Sequence, residues 1–248
     1  MTELSNDADG MSIPGFAAWL DSPLGRRVIA WEQERLDLAV ADVFGFNAVQ
    51  IGMPQCDFLR ANRIPLRLHA GCDRQADVRC DPAALPFASQ SIDLAILPHT
   101  LEFHPDPHQV LREIERILIP EGQVIVLGFN PLSLWGLHKR TLRRREGFPW
   151  NGDYLSVLRL KDWLKLLGFE IDRGAFGCYT PPCRQEKWLH RLQFMEAAGD
   201  RWWGFAGGVY MLRAIKRVRG MRLIGPKWKK SRLPARALRP IAEKGRLE

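Results

Sequence analysis

Three titratable side chains, His99, Glu102 and His104, stand within six residues of one another on the segment Pro98-His99-Thr100-Leu101-Glu102-Phe103-His104-Pro105. Imidazole and carboxylate groups at that spacing can take up or deliver a proton near neutral pH. Each has a plainer alternative: His99 as a strand-end residue bonded to backbone, Glu102 as a brace for a loop. His108 follows His104 by four residues, which suggests paired metal ligands. Pro105 and Pro107 interrupt any helix across that spacing, and no metal site is expected. Asn130, which precedes Pro131, and Tyr179 are further polar groups able to touch a substrate. A turn and core packing are their structural alternatives. The cysteines Cys56, Cys72, Cys80, Cys178 and Cys183 form no C-x-x-C pair. They read as reduced thiols of a cytoplasmic protein.

These groups must be positioned by an alternation of strands and helices. Ser22 and Pro23 open a helix expected to run to about residue 44. Buried strands are expected over 48–51, 65–69, 92–97 and 123–128, with a weak one over 76–80. Residues 56–62 read as a helical turn or short helix. Residues 106–118 read as an amphipathic helix capped by Asp106, and Pro120-Glu121-Gly122 as a turn. A helix over 159–167 closed by Gly168, a strand over 169–176, a helix over 184–198 and a final strand over 209–216 complete the pattern. Such alternation predicts a mostly parallel sheet with helices on both faces. Ligands in such sheets sit beyond the carboxyl ends of the strands. Those ends are Gly52, the stretch from His69 to Asp73, Asp81, the stretch from Leu97 to Glu102, and Asn130.

The chain has 248 residues, 46% hydrophobic and 26% charged, which excludes a disordered chain or a disulfide scaffold. No apolar run reaches the roughly 18 residues of a membrane span. The acidic start MTELSNDADG does not read as a secretory signal. The net charge of +8 is uneven: residues 216–248 hold twelve Lys/Arg against two acids, while the preceding residues hold twenty-four against twenty-six. The chain therefore divides into an N-terminal extension (1–21), a body (22–216) with a basic insertion (131–156), and a basic tail (217–248). The tail and the run from Lys139 to Arg145 could contact nucleic acid or another anionic surface, with a solvated tail as the alternative.

One stretch is specific. Asp81 leads into Leu85-Pro86-Phe87, then Ile92-Asp93-Leu94, His99-Thr100-Leu101-Glu102, and LREIERILIPEGQVIVLGFNP. In order and spacing this resembles the second half of the class I S-adenosylmethionine-dependent methyltransferase domain. The resemblance implies a Rossmann-like three-layer α/β sandwich, with a mostly parallel seven-stranded sheet and a late antiparallel strand. It implies S-adenosylmethionine as cofactor and an acceptor that it does not identify. By the same resemblance Gln50, Gly52, Asp73, Asp81 and Leu97 are cofactor contacts. His99 and Glu102 are candidate catalytic groups, and His104, Asn130 and Tyr179 face the substrate. The first half departs from the family. Where the family has an acid and then Gly-x-Gly-x-Gly, this chain has Gln50-Ile51-Gly52-Met53-Pro54-Gln55-Cys56, and only Gly52 is retained. The second family acid falls near Ala70, three residues before Asp73, and Phe103 displaces the second histidine of the family's His-x-Leu-Glu-His segment to His104. A non-catalytic module on the same fold, binding RNA or an acidic partner, is the alternative function.

Overall fold

The computed structural model describes residues 16–141, 148–182, 187, 191–192 and 194–218. It begins with a short helix, α1 (Phe16–Leu20), whose Phe16 and Trp19 are buried. The domain core thus reaches back across the boundary expected at Ser22. The Ser22 hydroxyl then accepts the Gly25 N–H at 3.0 Å, and Pro23 takes the first position of α2 (Pro23–Val40). Leu24, Val28, Leu36 and Val40 form the buried stripe of α2, joined by one charged residue, Glu32.

The strands are β1 (Asn47–Ile51), β2 (Leu66–Gly71), β3 (Val78–Arg79), β4 (Ile92–Pro98), β5 (Leu118–Phe129), β6 (Phe169–Gly177) and β7 (Val209–Lys216). They form one sheet in the order β3-β2-β1-β4-β5-β7-β6. All pairs are parallel except those of β7, which runs antiparallel to both β5 and β6. The expected mostly parallel sheet with a late antiparallel strand is what forms. The remaining helices are α3 (Thr100–Phe103), α4 (Pro107–Ile117), α5 (Leu134–Thr141), α6 (Val157–Leu166) and α7 (Phe194–Trp202).

Side-chain alternation along the strands splits the core into two layers. Leu94, Ile96, Ile125 and Leu127 pack with α1 and α2 on one face of the sheet. Ala95, Leu97, Val124 and Val126 pack with α4 and α6 on the other. The result is the three-layer sandwich.

One of the local expectations is corrected, that for Pro120-Glu121-Gly122. Residues 56–62 form turns, the first of the two expected forms, with the Asn62 N–H donating to the Leu59 carbonyl at 3.0 Å. Pro120-Glu121-Gly122 does not separate helix from strand, because β5 already begins at Leu118. It forms an irregularity within the strand, with Glu121 at φ 66 and a register shift against β4 between Ile92 and Leu94. The described part of the basic segment 131–156 is packed into the domain. It carries α5, whose Trp135 is fully buried and donates its indole N–H to the Thr180 carbonyl at 2.9 Å. Arg143, Arg144 and Arg145, residues 184–186, 188–190 and 193 of the helix expected over 184–198, and the tail from residue 219 onward lie outside the described residues, while the end of that expected helix falls in α7.

Candidate functional site

Strands β2 and β3 lie to one side of β1, and β4 and β5 to the other, so the chain reverses its direction of sheet growth between β1 and β4. A small cavity of about 80 Å³ opens beyond the carboxyl ends of β2, β1 and β4. This is the switch point at which open α/β sheets bind ligands. Gly52, Gly71, Asp73, Pro98, Thr100 and His104 are among its lining residues, and Phe16 of α1 forms part of its wall.

Two glycines keep the cavity open. Gly52 has φ +91, and a Cβ there would come within 3.0 Å of the Thr100 hydroxyl. Gly71 has φ +148, and a Cβ there would lie 3.5 Å from the Gly52 nitrogen. Both conformations strain an L side chain. The sequence reading found Gly52 by its motif but missed Gly71, whose signal was a glycine closing the strand Leu66-Arg67-Leu68-His69-Ala70.

The loop after β1 is built differently from a repeated-glycine loop. Gln50 is fully buried, and its amide nitrogen donates to the carbonyls of Gly52 (3.1 Å), Met53 (2.9 Å) and Cys56 (2.8 Å). Its Oε1 accepts the Phe58 N–H at 3.0 Å. Gln50 therefore belts the loop from inside, where it was expected to contact the cofactor, and holds Met53 at φ 50. Cys56 does not fill the cavity either. It packs beside α2, and burial raises its thiol pKa to about 11.

The polar rim is set by Asp73 and by the Asp81–His104 pair. One Asp73 oxygen accepts the Gln55 amide at 2.8 Å and the other accepts the Gln75 N–H at 2.9 Å. The His104 Nδ1 accepts the Asp106 N–H at 3.0 Å, which leaves the proton on Nε2 to be donated to Asp81 at 3.0 Å. A backbone bond from Ala83 and the bond from His104 lower the Asp81 pKa and keep it ionised.

His99 and Glu102 have another task. His99 is 1% exposed and sits at φ 52, with Nε2 at 2.7 Å from Glu32 and Nδ1 at 2.8 Å from Glu102. The second Glu102 oxygen accepts the Phe129 N–H. Burial disfavours the imidazolium, but the two carboxylates outweigh it and raise the His99 pKa to about 10. Both ring nitrogens are occupied, and neither His99 nor Glu102 lines the cavity. Their burial removes them from proton transfer to a substrate and makes them an internal ion cluster joining α2, β4 and β5. Glu32 was not legible in the sequence, being a helix residue 67 positions from its partner.

The other expected contacts also turn inward. Leu97 is buried in the layer facing α4. Asn130 donates to the Phe205 and Gly207 carbonyls at 2.8 and 3.0 Å. Tyr179 donates its hydroxyl to the Gly204 carbonyl at 3.2 Å.

A family model described as a methyltransferase domain matches residues 55–126. An S-adenosylmethionine-dependent methyltransferase of Thermotoga maritima superposes with a TM-score of 0.61 at 19% identity, over 82% of this chain and 95% of that one. The chain therefore carries a methyltransferase-domain match over part of its length, on a fold shared with S-adenosylmethionine-dependent methyltransferases. A further methyltransferase structure, from Mesorhizobium loti, gives a TM-score of 0.54 at 16% identity, over 75% of this chain and 97% of that one. The YafS protein of Escherichia coli (strain K12) is 34% identical over 155 residues, 62% of this chain. The chain spans 65% of the length of YafS, just under two thirds. The matched methyltransferase region contains Asp73, Asp81 and His104 and stops before Asn130. Gln50 and Gly52 precede it. Among the described residues, no helix is long and apolar enough to cross a membrane.

Proposed function

We propose that this chain binds S-adenosylmethionine in the cavity at Gly52 and Gly71 and transfers its methyl group to an acceptor entering past His104. The observation that carries this reading is the cavity itself, placed at the switch point with bare backbone on the strand ends that face it. A scaffold that had lost its ligand would have no reason to keep two strained glycines around open space.

The residues present fit the cofactor. Asp73 offers carboxylate oxygens to hydroxyl groups at the end of β2, and Asp81, bonded to the cavity-lining His104, offers a further acceptor beside the cavity. Gly52 and Gly71 admit a ligand against the main chain, and Phe16, Met53 and Phe103 supply apolar walls. When bound, S-adenosylmethionine supplies an already activated methyl group, so the protein's part is to align the acceptor with it. His104 separates the cofactor side from the acceptor side. Its tautomer is fixed by Asp106 and Asp81, so it positions groups and leaves proton removal to others.

Two substitutions test the pose. Gly71→Val places a side chain in the cavity at an unfavourable φ and is expected to weaken S-adenosylhomocysteine binding about tenfold or more. Asp81→Ala removes the rim acceptor and frees His104, with an expected loss of about five- to thirtyfold. Both are read by titration calorimetry. Wild-type affinity in both variants would move the cofactor elsewhere.

A further inference from the structure

A second, larger cavity of about 790 Å³ adjoins the first, with His104 lining both. It lies between α5, the segment 153–155 and α6. Lys139, Arg140 and Arg159 line it against a single acid, Asp153. The three cations are not equivalent. The Lys139 ammonium is committed, donating to the Gly152 carbonyl and lying 4.3 Å from the Tyr154 ring centre. Arg140 and Arg159 form no ion pair among the described residues, whereas Arg60, Arg116, Arg213 and Arg217 are each paired with a carboxylate. The Arg159 guanidinium instead lies 5.9 Å from the Trp163 ring centre.

The rest of the lining is apolar and aromatic. Leu101, Leu155, Tyr154 and Trp163 contribute to it. Tyr154 stacks on Phe129 at 5.2 Å, yet its buried hydroxyl has no hydrogen-bond partner among the described residues. Two guanidinium groups free of carboxylates supply planar forks suited to an anion. We infer that this cavity is the acceptor site, and that the acceptor is a small molecule with an apolar or aromatic body and a carboxylate or phosphate group held by Arg140 and Arg159. This rests on the methyl-transfer reading for the adjoining cavity. It makes the positive charge of α5 and α6 a device for selecting the acceptor.

The test is titration calorimetry on the full chain with two probes, benzoate for the carboxylate and inorganic pyrophosphate for the phosphate, each with and without S-adenosylhomocysteine. Saturable binding of at least one probe is expected, and the stronger probe identifies the anion. The double variant Arg140→Ala/Arg159→Ala should lose about tenfold or more in that affinity. Arg63→Ala, at an exposed site outside the cavity, should lose none. All three proteins should bind S-adenosylhomocysteine alike, which also shows that the double variant is folded. If neither probe saturates by about 10 mM, or the double variant binds as wild type does, the inference fails. The second outcome is also what binding by the basic tail alone would give. If S-adenosylhomocysteine fails to bind while the probes behave as expected, the methyl-transfer reading fails and the anion site stands.

Discussion

Replacing His99 with alanine should lower the stability of the domain by about 3–5 kcal/mol, the usual cost of removing one member of a buried ion pair. For a domain of this size that is a fall in Tm of roughly 6–20 °C. The reason is that Glu32 and Glu102, both buried, lose the cation between them. One Glu32 oxygen already lacks a partner among the described residues, so there is little reserve to absorb the loss. The effect has a defined pH dependence. The folded-state pKa of about 10 lies above the ordinary histidine value of 6.5. His99 therefore contributes fully below about pH 6.5, and its contribution disappears as the pH rises through about 10. The gap in Tm between wild type and His99→Ala should narrow across that window. A catalytic His99 without structural weight would leave Tm unchanged and alter turnover alone.

Replacing Gln50 with glutamate restores the acid that the family usually carries, and it should nonetheless harm this protein. The Gln50 amide donates to three carbonyls within 3.1 Å, and a carboxylate would confront all three with negative charge. The site is fully buried, so the new group could not turn to water. A loss of about 2–4 kcal/mol is expected, visible as a fall in Tm of roughly 5–15 °C. Cofactor affinity should fall with it, because the belt holds Gly52 and Met53 in place. A rise in affinity without loss of Tm would mean that Gln50 stands in for the family acid directly.

Gln50 also shows how far the sequence could be read. Its position in the motif was legible, and so was Gly52, because motif spacing is local. The direction of its side chain was not, since its partners are main-chain carbonyls fixed only when Pro54 and Cys56 turn the loop. The sheet was legible for the same reason that Gly52 was. Strands such as 92–97 and 123–128 are continuous apolar runs, and the caps at Ser22 and Asp106 are formed within three residues. The site residues read less well. His99 and Glu102 carry the types expected of catalytic groups, and their burial depends on Glu32 from α2 and Phe129 from β5. Asn130 and Tyr179 were likewise read as facing a ligand, and both are used to fasten the loop from Gly204 to Gly207. Asp73 and His104 line the cavity because they follow strand ends, where the topology itself puts it, and Asp81 is reached only through its bond to His104. Arg140 was read as part of a basic run and Arg159 only as the start of a helix, because only the packing of α5 and α6 brings them to one cavity.

The most direct measurement is a calorimetric titration of the full-length protein with S-adenosylmethionine and S-adenosylhomocysteine. Binding of one ligand per chain, with Kd values of about 1–100 μM, is the predicted result. No saturable heat from either ligand up to about 1 mM would contradict the account and leave the fold as a binding module without a cofactor.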